Sequence, residues 1–250
     1  MILPSMTYKE IYDGLVADAK KIEIRIEKML PKAIRHFKKS LSFPDWYIDE
    51  YKIPSTNNQH IIFFYAGNER EIECPHYTIF SIMFNDRQRF VIKGFKMGYR
   101  HTPQSKMEEL PQIHVYTSHF FQRYNERFLH NDNLTSNEVA GLFFIRNPRP
   151  IPINLNEEIN RNFKEHGEHN LHGMKVNDGF CFTQSALDGK ASEDGIREND
   201  EVESMLFLYT SFINRANMSD IQIEAIEKEY YEVLKRCVDE IENINSLRNN

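Results

Sequence analysis

HYTIFSIMF (76–84), NDRQ (85–88) and RFVIKGF (89–95) follow one another without a break. The outer two runs are rich in β-branched and aromatic residues, and the four residues between them are polar. That pattern predicts two strands joined as a hairpin. Neighbouring strands here are therefore expected to pair antiparallel, which sets the fold class for the rest of the chain. Just upstream, HIIFFYA (60–66) is another short β-rich run, closed by the turn Gly67-Asn68-Glu69. The segment 98–111 (GYRHTPQSKMEELP) reads as a loop, and FPDWYIDEYKIPSTNN (43–58) as an acidic, aromatic linker.

Helical signals bound this strand section. Thr7-Tyr-Lys-Glu10 is a capping-box pattern. Ile11, Leu15, Ala19, Ile22, Ile26 and Leu30 then recur in steps of three or four, one apolar stripe of a helix. Pro31 suits the first turn of a second helix better than the middle of one. At the other end, Ser219-Asp-Ile-Gln222 is a second capping box. It is followed by Ile223, Ile226, Tyr230, Val233, Cys237, Ile241 and Ile244 at the 3.5-residue spacing of coiled-coil packing. These terminal helices could pack on each other, on the sheet, or across a dimer.

Between the two ends, HNDN (130–133) breaks the helical pattern, Ser136 opens a short helix, and NPRPIP (147–152) must be extended. GMKVNDGFCFTQ (173–184) reads as a tight hairpin turning at Asn177-Asp178-Gly179. SMLFLYTSFI (204–213) reads as a buried central strand. The expected architecture is a single α+β domain over 1–250, an antiparallel sheet core flanked by long N- and C-terminal amphipathic helices. Its parts are a helical section at 5–40, a sheet-and-helix core at 60–213 and a C-terminal helix at 219–246.

Composition narrows the class. Hydrophobic residues make 40% of the chain and charged residues 27%, which excludes wholesale disorder. No apolar run approaches bilayer length, so no membrane span is expected. The first residues lack the basic start and apolar core of a secretory signal. Cys74, Cys181 and Cys237 are scattered without a CxxC pair. Such an odd, sparse set reads as reduced thiols and suggests a cytoplasmic protein. Net charge is −6, but residues 86–127 carry 8 basic against 4 acidic groups while 190–250 carry 7 against 14. Local potential, not the total, steers a polyanion.

The basic segment ends in TSHFFQRYNERF (117–128). On a helix, Phe120, Phe121, Tyr124 and Phe128 form an apolar face. His119, Arg123, Glu126 and His130 project from the other side, with Arg127 at the edge. A solvated face with an Arg123–Glu126 ion pair would explain these letters without any activity. A histidine one turn from an arginine also supplies a proton-transfer group and a bidentate phosphate ligand.

Ser118-His119-x-x-x-Arg123-x-x-x-Arg127 resembles the S-H-x-x-x-R-x-x-x-R helix of small toxin and prophage nucleases. These belong to the superfamily joining barnase, EndoU, colicin-type and RelE-like ribonucleases, and the resemblance covers residues 112–213. It implies a helix preceding an antiparallel sheet and RNA as the substrate, cleaved without metal or other cofactor. It also implies His119 as acid/base, Arg123 and Arg127 as phosphate ligands, and Thr210 or Ser211 as an auxiliary contact. This chain departs from the pattern in its N-terminal strand section, its long insert (131–170) and its acidic tail. A non-catalytic binding or assembly protein of mobile-element origin, forming a homo-oligomer through its terminal helices, fits the same sequence.

Other motifs carry less. His166, His169 and His172 could bind Zn²⁺, but flanking glycines favour a surface loop and no cysteine or acidic ligand completes a recognised spacing. Cys74-Pro75-His76 could set a reactive thiol near an imidazole. KGFKMGYR (93–100) mixes basic and aromatic residues and reads as a solvated strand end. Nucleotide, dinucleotide, zincin and hydrolase-elbow motifs are absent from the sequence.

Overall fold

The structure, a computed structural model, describes residues 1–99, 108–153, 171–189 and 202–248. Helix α1 (Tyr8–Phe37) opens with the capping box expected at Thr7 and Glu10, and it runs through Pro31 without a break. Strands β1 (Asp45–Lys52), β2 (Gln59–Ala66), β3 (His76–Asn85), β4 (Gln88–Tyr99) and β5 (Glu108–Thr117) follow. They form an antiparallel meander in chain order. Strand β5 runs directly into helix α2 (Ser118–Tyr124), which widens into a π turn, Asn125–Leu129. Helix α3 (Ser136–Arg146), short β6 (Ile151–Ile153), β7 (Leu171–Val176), β8 (Gly179–Gly189), β9 (Val202–Asn214) and helix α4 (Asp220–Arg248) complete the chain.

One nine-stranded sheet results, in the order β1-β2-β3-β4-β5-β9-β8-β7-β6. Every pairing is antiparallel except β5 with β9, where Gln112–Tyr116 run alongside Met205–Tyr209 in the same direction. The expected α+β class with a mostly antiparallel sheet holds, with four α-helices among the described residues. Three expectations do not. The linker read at 43–58 contains edge strand β1, the loop read at 98–111 contains the first residues of β5, and Pro31 starts no second helix.

Strand alternation splits the sheet's side chains between two layers. Helix α1 covers one face, placing Ile22, Ile26, Met29, Ala33 and Phe37 on Ile62 and Phe64, and Ile11 near Ile92, Ile113 and Val115. Helices α2 and α3 cover the other face, over Phe63, Phe80, Val91, Tyr116, Tyr209 and Phe212. The α3 backbone comes so close to β2 that a Cβ on Gly141 would lie 2.1 Å from the Phe63 ring. Helix α4 meets the sheet at its far edge, where Ala225 and Ile226 pack with Ile153 and Phe180. Further along α4, Tyr231, Leu234 and Val238 are exposed.

A buried polar chain fastens α1 to the sheet. Asp18 sits on the apolar stripe of α1, fully enclosed. Its carboxylate accepts hydrogen bonds from Asn58 Nδ2 and from Thr56 Oγ1, and lies 3.2 Å from His60 Nε2. The other ring nitrogen of His60 bonds Ser81 Oγ at 2.7 Å. Burial would raise the Asp18 carboxyl, but hydrogen bonds from Asn58, His60 and Thr56 outweigh it and hold the group below its usual 3.8. Burial pulls the His60 imidazole below its usual 6.5, against the opposing pull of Asp18.

Both shifts destabilise the fold in acid. A histidine whose folded pKa is depressed binds its proton more readily when unfolded, so stability falls as pH drops through 6.5. The Asp18 contribution persists above 3.8 and is lost as pH falls through the lower folded value. The urea midpoint is therefore expected to decline between about pH 7.5 and about pH 5, and a His60→Gln variant should lose much of that slope. An identical decline in the variant would show that His60 does not carry it.

Candidate functional site

The start of α2 is built where three strands end or bend together. Thr117, the last residue of β5, caps the helix by accepting from Phe120 N at 3.0 Å, and its hydroxyl donates to the Tyr209 carbonyl of β9 at 3.2 Å. Ser118 Oγ donates to the Arg89 carbonyl of β4 at 2.9 Å. A β-bulge lies in β9 at this level: Phe182 pairs with Ser211 and Thr183 with Tyr209, leaving Thr210 as the extra residue. The strands and the helix thus enclose an open cleft of about 580 Å³, lined by Arg87, Gln88, Arg89, Phe90, Thr117, Ser118, His119 and Thr210.

Two of the sequence-predicted residues therefore share one cleft, although 91 positions separate them: His119 and Thr210. His119 is exposed, and its Nε2 accepts from Arg123 Nε at 3.4 Å. Arg123 also pairs with Glu126 at 2.9 Å, as the helical spacing suggested, and Gln122 donates to the same carboxylate at 2.8 Å. The Gln122 bond first, and then Arg123, hold the Glu126 carboxyl below its usual range despite some desolvation. Arg123 is thus tethered beside His119, one turn along the helix.

Arg127 and Ser211 do not join them. The Arg127 guanidinium donates to the Phe212 carbonyl, and Asn214 Nδ2 donates back to the Arg127 carbonyl at 2.9 Å. This residue clamps the π turn onto β9, and its burial lowers its pKa. Ser211 sits in the β8–β9 ladder opposite Phe182. Thr210, which does line the cleft, donates its hydroxyl to the Phe182 carbonyl at 3.3 Å. His130, expected on the same helical face, instead ends the π turn in a left-handed conformation at φ 51°.

The hairpin connection contributes what helical reasoning missed. Arg87 and Arg89 also line the cleft. Arg89 is tied to Asn137 of α3, which in turn donates to Glu50 at 2.8 Å. The basic excess of 86–127 was legible in the sequence. That its two ends, around residue 88 and residue 119, meet in space is a consequence of the β4–β5 pairing, in which Phe90 lies opposite Thr117.

Behind α2, a second buried network sets its position. Asp178, in the β7–β8 turn, accepts from Tyr124 Oη at 2.6 Å and from the Arg146 guanidinium at 2.9 and 2.8 Å. Asn147 Nδ2 adds a further donor at 2.9 Å. Arg146 also covers the Phe128 ring, 4.7 Å from its centroid. The aromatic face expected for this helix is real: Phe120, Phe121 and Tyr124 are buried, with Phe128 packed at the edge.

The other candidates fare differently. His166 and His169 lie outside the described residues, and His172 is described only as backbone in β7. Among the described residues, no group of three His, Cys, Asp or Glu side chains is placed to hold a metal ion. Cys74 is exposed, and His76 lies 3.7 Å from Glu71. No described helix is long and apolar enough to cross a membrane.

Asp178→Ala leaves the Tyr124 hydroxyl and the Arg146 guanidinium without their shared acceptor. It is expected to cost about 3 kcal/mol, read as a lower urea midpoint, with Asp178→Asn less affected. A midpoint unchanged in the alanine variant would mean that the network does not anchor α2.

Comparison of the chain with protein-family models, with curated proteins and with solved structures found no match.

Proposed function

We propose that the cleft beside His119 binds and cleaves RNA without a metal, in the manner of toxin and prophage ribonucleases. The single observation that supports this is the convergence of His119, Thr210, Arg87 and Arg89 on one open cleft, with Arg123 bonded to His119. Cleavage of RNA by its own 2′-hydroxyl needs a group to accept the hydroxyl proton and cations to hold the phosphate. His119 takes that proton as the 2′-oxygen attacks phosphorus. Arg123 and Arg87 hold the phosphate oxygens as negative charge builds on them. The P–O5′ bond breaks, the 5′-oxygen takes a proton from water, and a 2′,3′-cyclic phosphate remains. Arg127, committed to the Phe212 carbonyl, keeps the helix in place under this scheme.

A second reading has its own observation. Tyr231, Leu234 and Val238 leave an exposed apolar stripe on α4, at spacings that suit helix–helix packing. Self-association through this helix would make the chain an assembly protein, of mobile-element origin and cytoplasmic, with no RNA turnover.

Incubating the purified chain with a mixed-sequence RNA separates the two. Wild-type protein is expected to leave cyclic-phosphate ends, and His119→Ala to cut at least about a hundredfold more slowly at an unchanged urea midpoint. Cutting by the alanine variant at the wild-type rate would remove His119 from the chemistry. No cutting by wild type, together with a mass that rises with concentration, would favour assembly.

A further inference from the structure

Lys93, expected at a solvated strand end, is held against the sheet by its surroundings. Its ammonium donates to Thr78 Oγ1 at 3.0 Å and stands 4.5 Å from the Phe144 ring centroid and 5.9 Å from that of Phe95. Among the described residues no carboxylate pairs with it. Opposite Lys93 in the β4–β5 ladder is His114, buried, with its Nδ1 bonded to the Tyr209 hydroxyl at 2.8 Å. Burial, and secondly the Lys93 charge, push that imidazole down to about 3, so it is neutral. The ammonium is thus surrounded by a hydroxyl, an uncharged ring and aromatic faces. The residue retains some exposure, yet burial pulls its ammonium down to about 8.

A desolvated cation without a counter-ion is costly, and this one borders open space. A cavity of about 690 Å³ is lined by Lys93, Thr78, Tyr65, Tyr77, Phe144 and Arg146, among others. Its volume is that of a small-molecule site. The other charged groups around it already have partners. Arg146 is held by Asp178. Glu71 accepts from Gly67 N and from Asn68 Nδ2, both at 2.7 Å, with His76 beyond it at 3.7 Å.

We infer that this cavity binds a small organic anion, a carboxylate on a flat apolar body, whose acid group supplies the counter-ion that Lys93 lacks among the described residues. The rings of Tyr65 and Phe144 face the body, and Lys93 takes the acid with Thr78 as its fixed neighbour. The cavity shares no lining residue with the cleft beside His119, so the inference stands or falls separately from RNA cleavage.

Calorimetric titration of the full chain with benzoate, and in parallel with inorganic phosphate, tests it. Benzoate is expected to bind with proton uptake near pH 8, because its charge raises the Lys93 pKa from about 8. Affinity should fall about tenfold for each pH unit above that value. Lys93→Met should weaken binding at least about tenfold, and Lys93→Arg should retain it while losing the pH dependence. Circular dichroism and the urea midpoint report whether either variant is folded. Benzoate binding that is absent at about 10 mM, that survives Lys93→Met, or that ignores pH would overturn the site. Phosphate binding as tightly as benzoate would overturn its preference for a flat carboxylate.

Discussion

Five residues of β5 run parallel to five of β9, and this seam makes one sheet out of two antiparallel meanders. Parallel neighbours cannot be joined by a tight turn, because the chain must return to the starting end before the second strand can begin. Here that return carries α2, α3 and the whole β6–β8 meander. The helix bearing His119 therefore starts at the end of one seam strand, and the bulge bearing Thr210 lies beside it in the other. Without the parallel pair, the two residues would have no reason to meet.

Polar networks hold the helical layers in place on either face. Asp18, His60, Asn58 and Ser81 join α1 to β2 and β3, while Asp178 gathers Tyr124, Arg146 and Asn147 behind α2. Such groups add less net stability than apolar replacements of the same shape would, because each must first be desolvated. They do penalise misplacement, since a shift of the helix leaves a buried charge without its partner. Register is thereby fixed at the two places where helices meet the sheet.

Lys93 contrasts with these networks. Asp18 and Asp178 have their partners within the chain, whereas the Lys93 ammonium has a hydroxyl and aromatic faces. It belongs to the same β4–β5 ladder that carries the edge of the His119 cleft. One strand pair thus contributes to two concave surfaces, one open and basic, one lined by aromatic rings and the Lys93 ammonium.

Local pattern was enough for the elements whose signal is local. The hairpin at 76–95, both capping boxes, the Asn177-Asp178-Gly179 turn and the aromatic face of α2 depend on neighbours a few residues away, and each is present. Elements whose signal is set by distant partners were not legible. DWYIDEYK (45–52) alternates acidic and aromatic residues in a way that suits an exposed edge strand, but only β2 beside it makes it one. EELPQIHVYT (108–117) becomes a strand between two partners, pairing with β4 on one side and, from Gln112 onward, with β9 on the other. A carboxylate on the apolar stripe of α1 is unfavourable by itself, and Asp18 is accommodated there only because Asn58 and His60 meet it from a distant part of the chain. The sequence by itself determined an α+β chain with an amphipathic His/Arg helix. Only tertiary structure decided that Arg87, His119 and Thr210 share a cleft, that Arg127 does not, and that Lys93 lies against aromatic rings. Side-chain chemistry is written locally, whereas desolvation and proximity come from strands that pair across the chain.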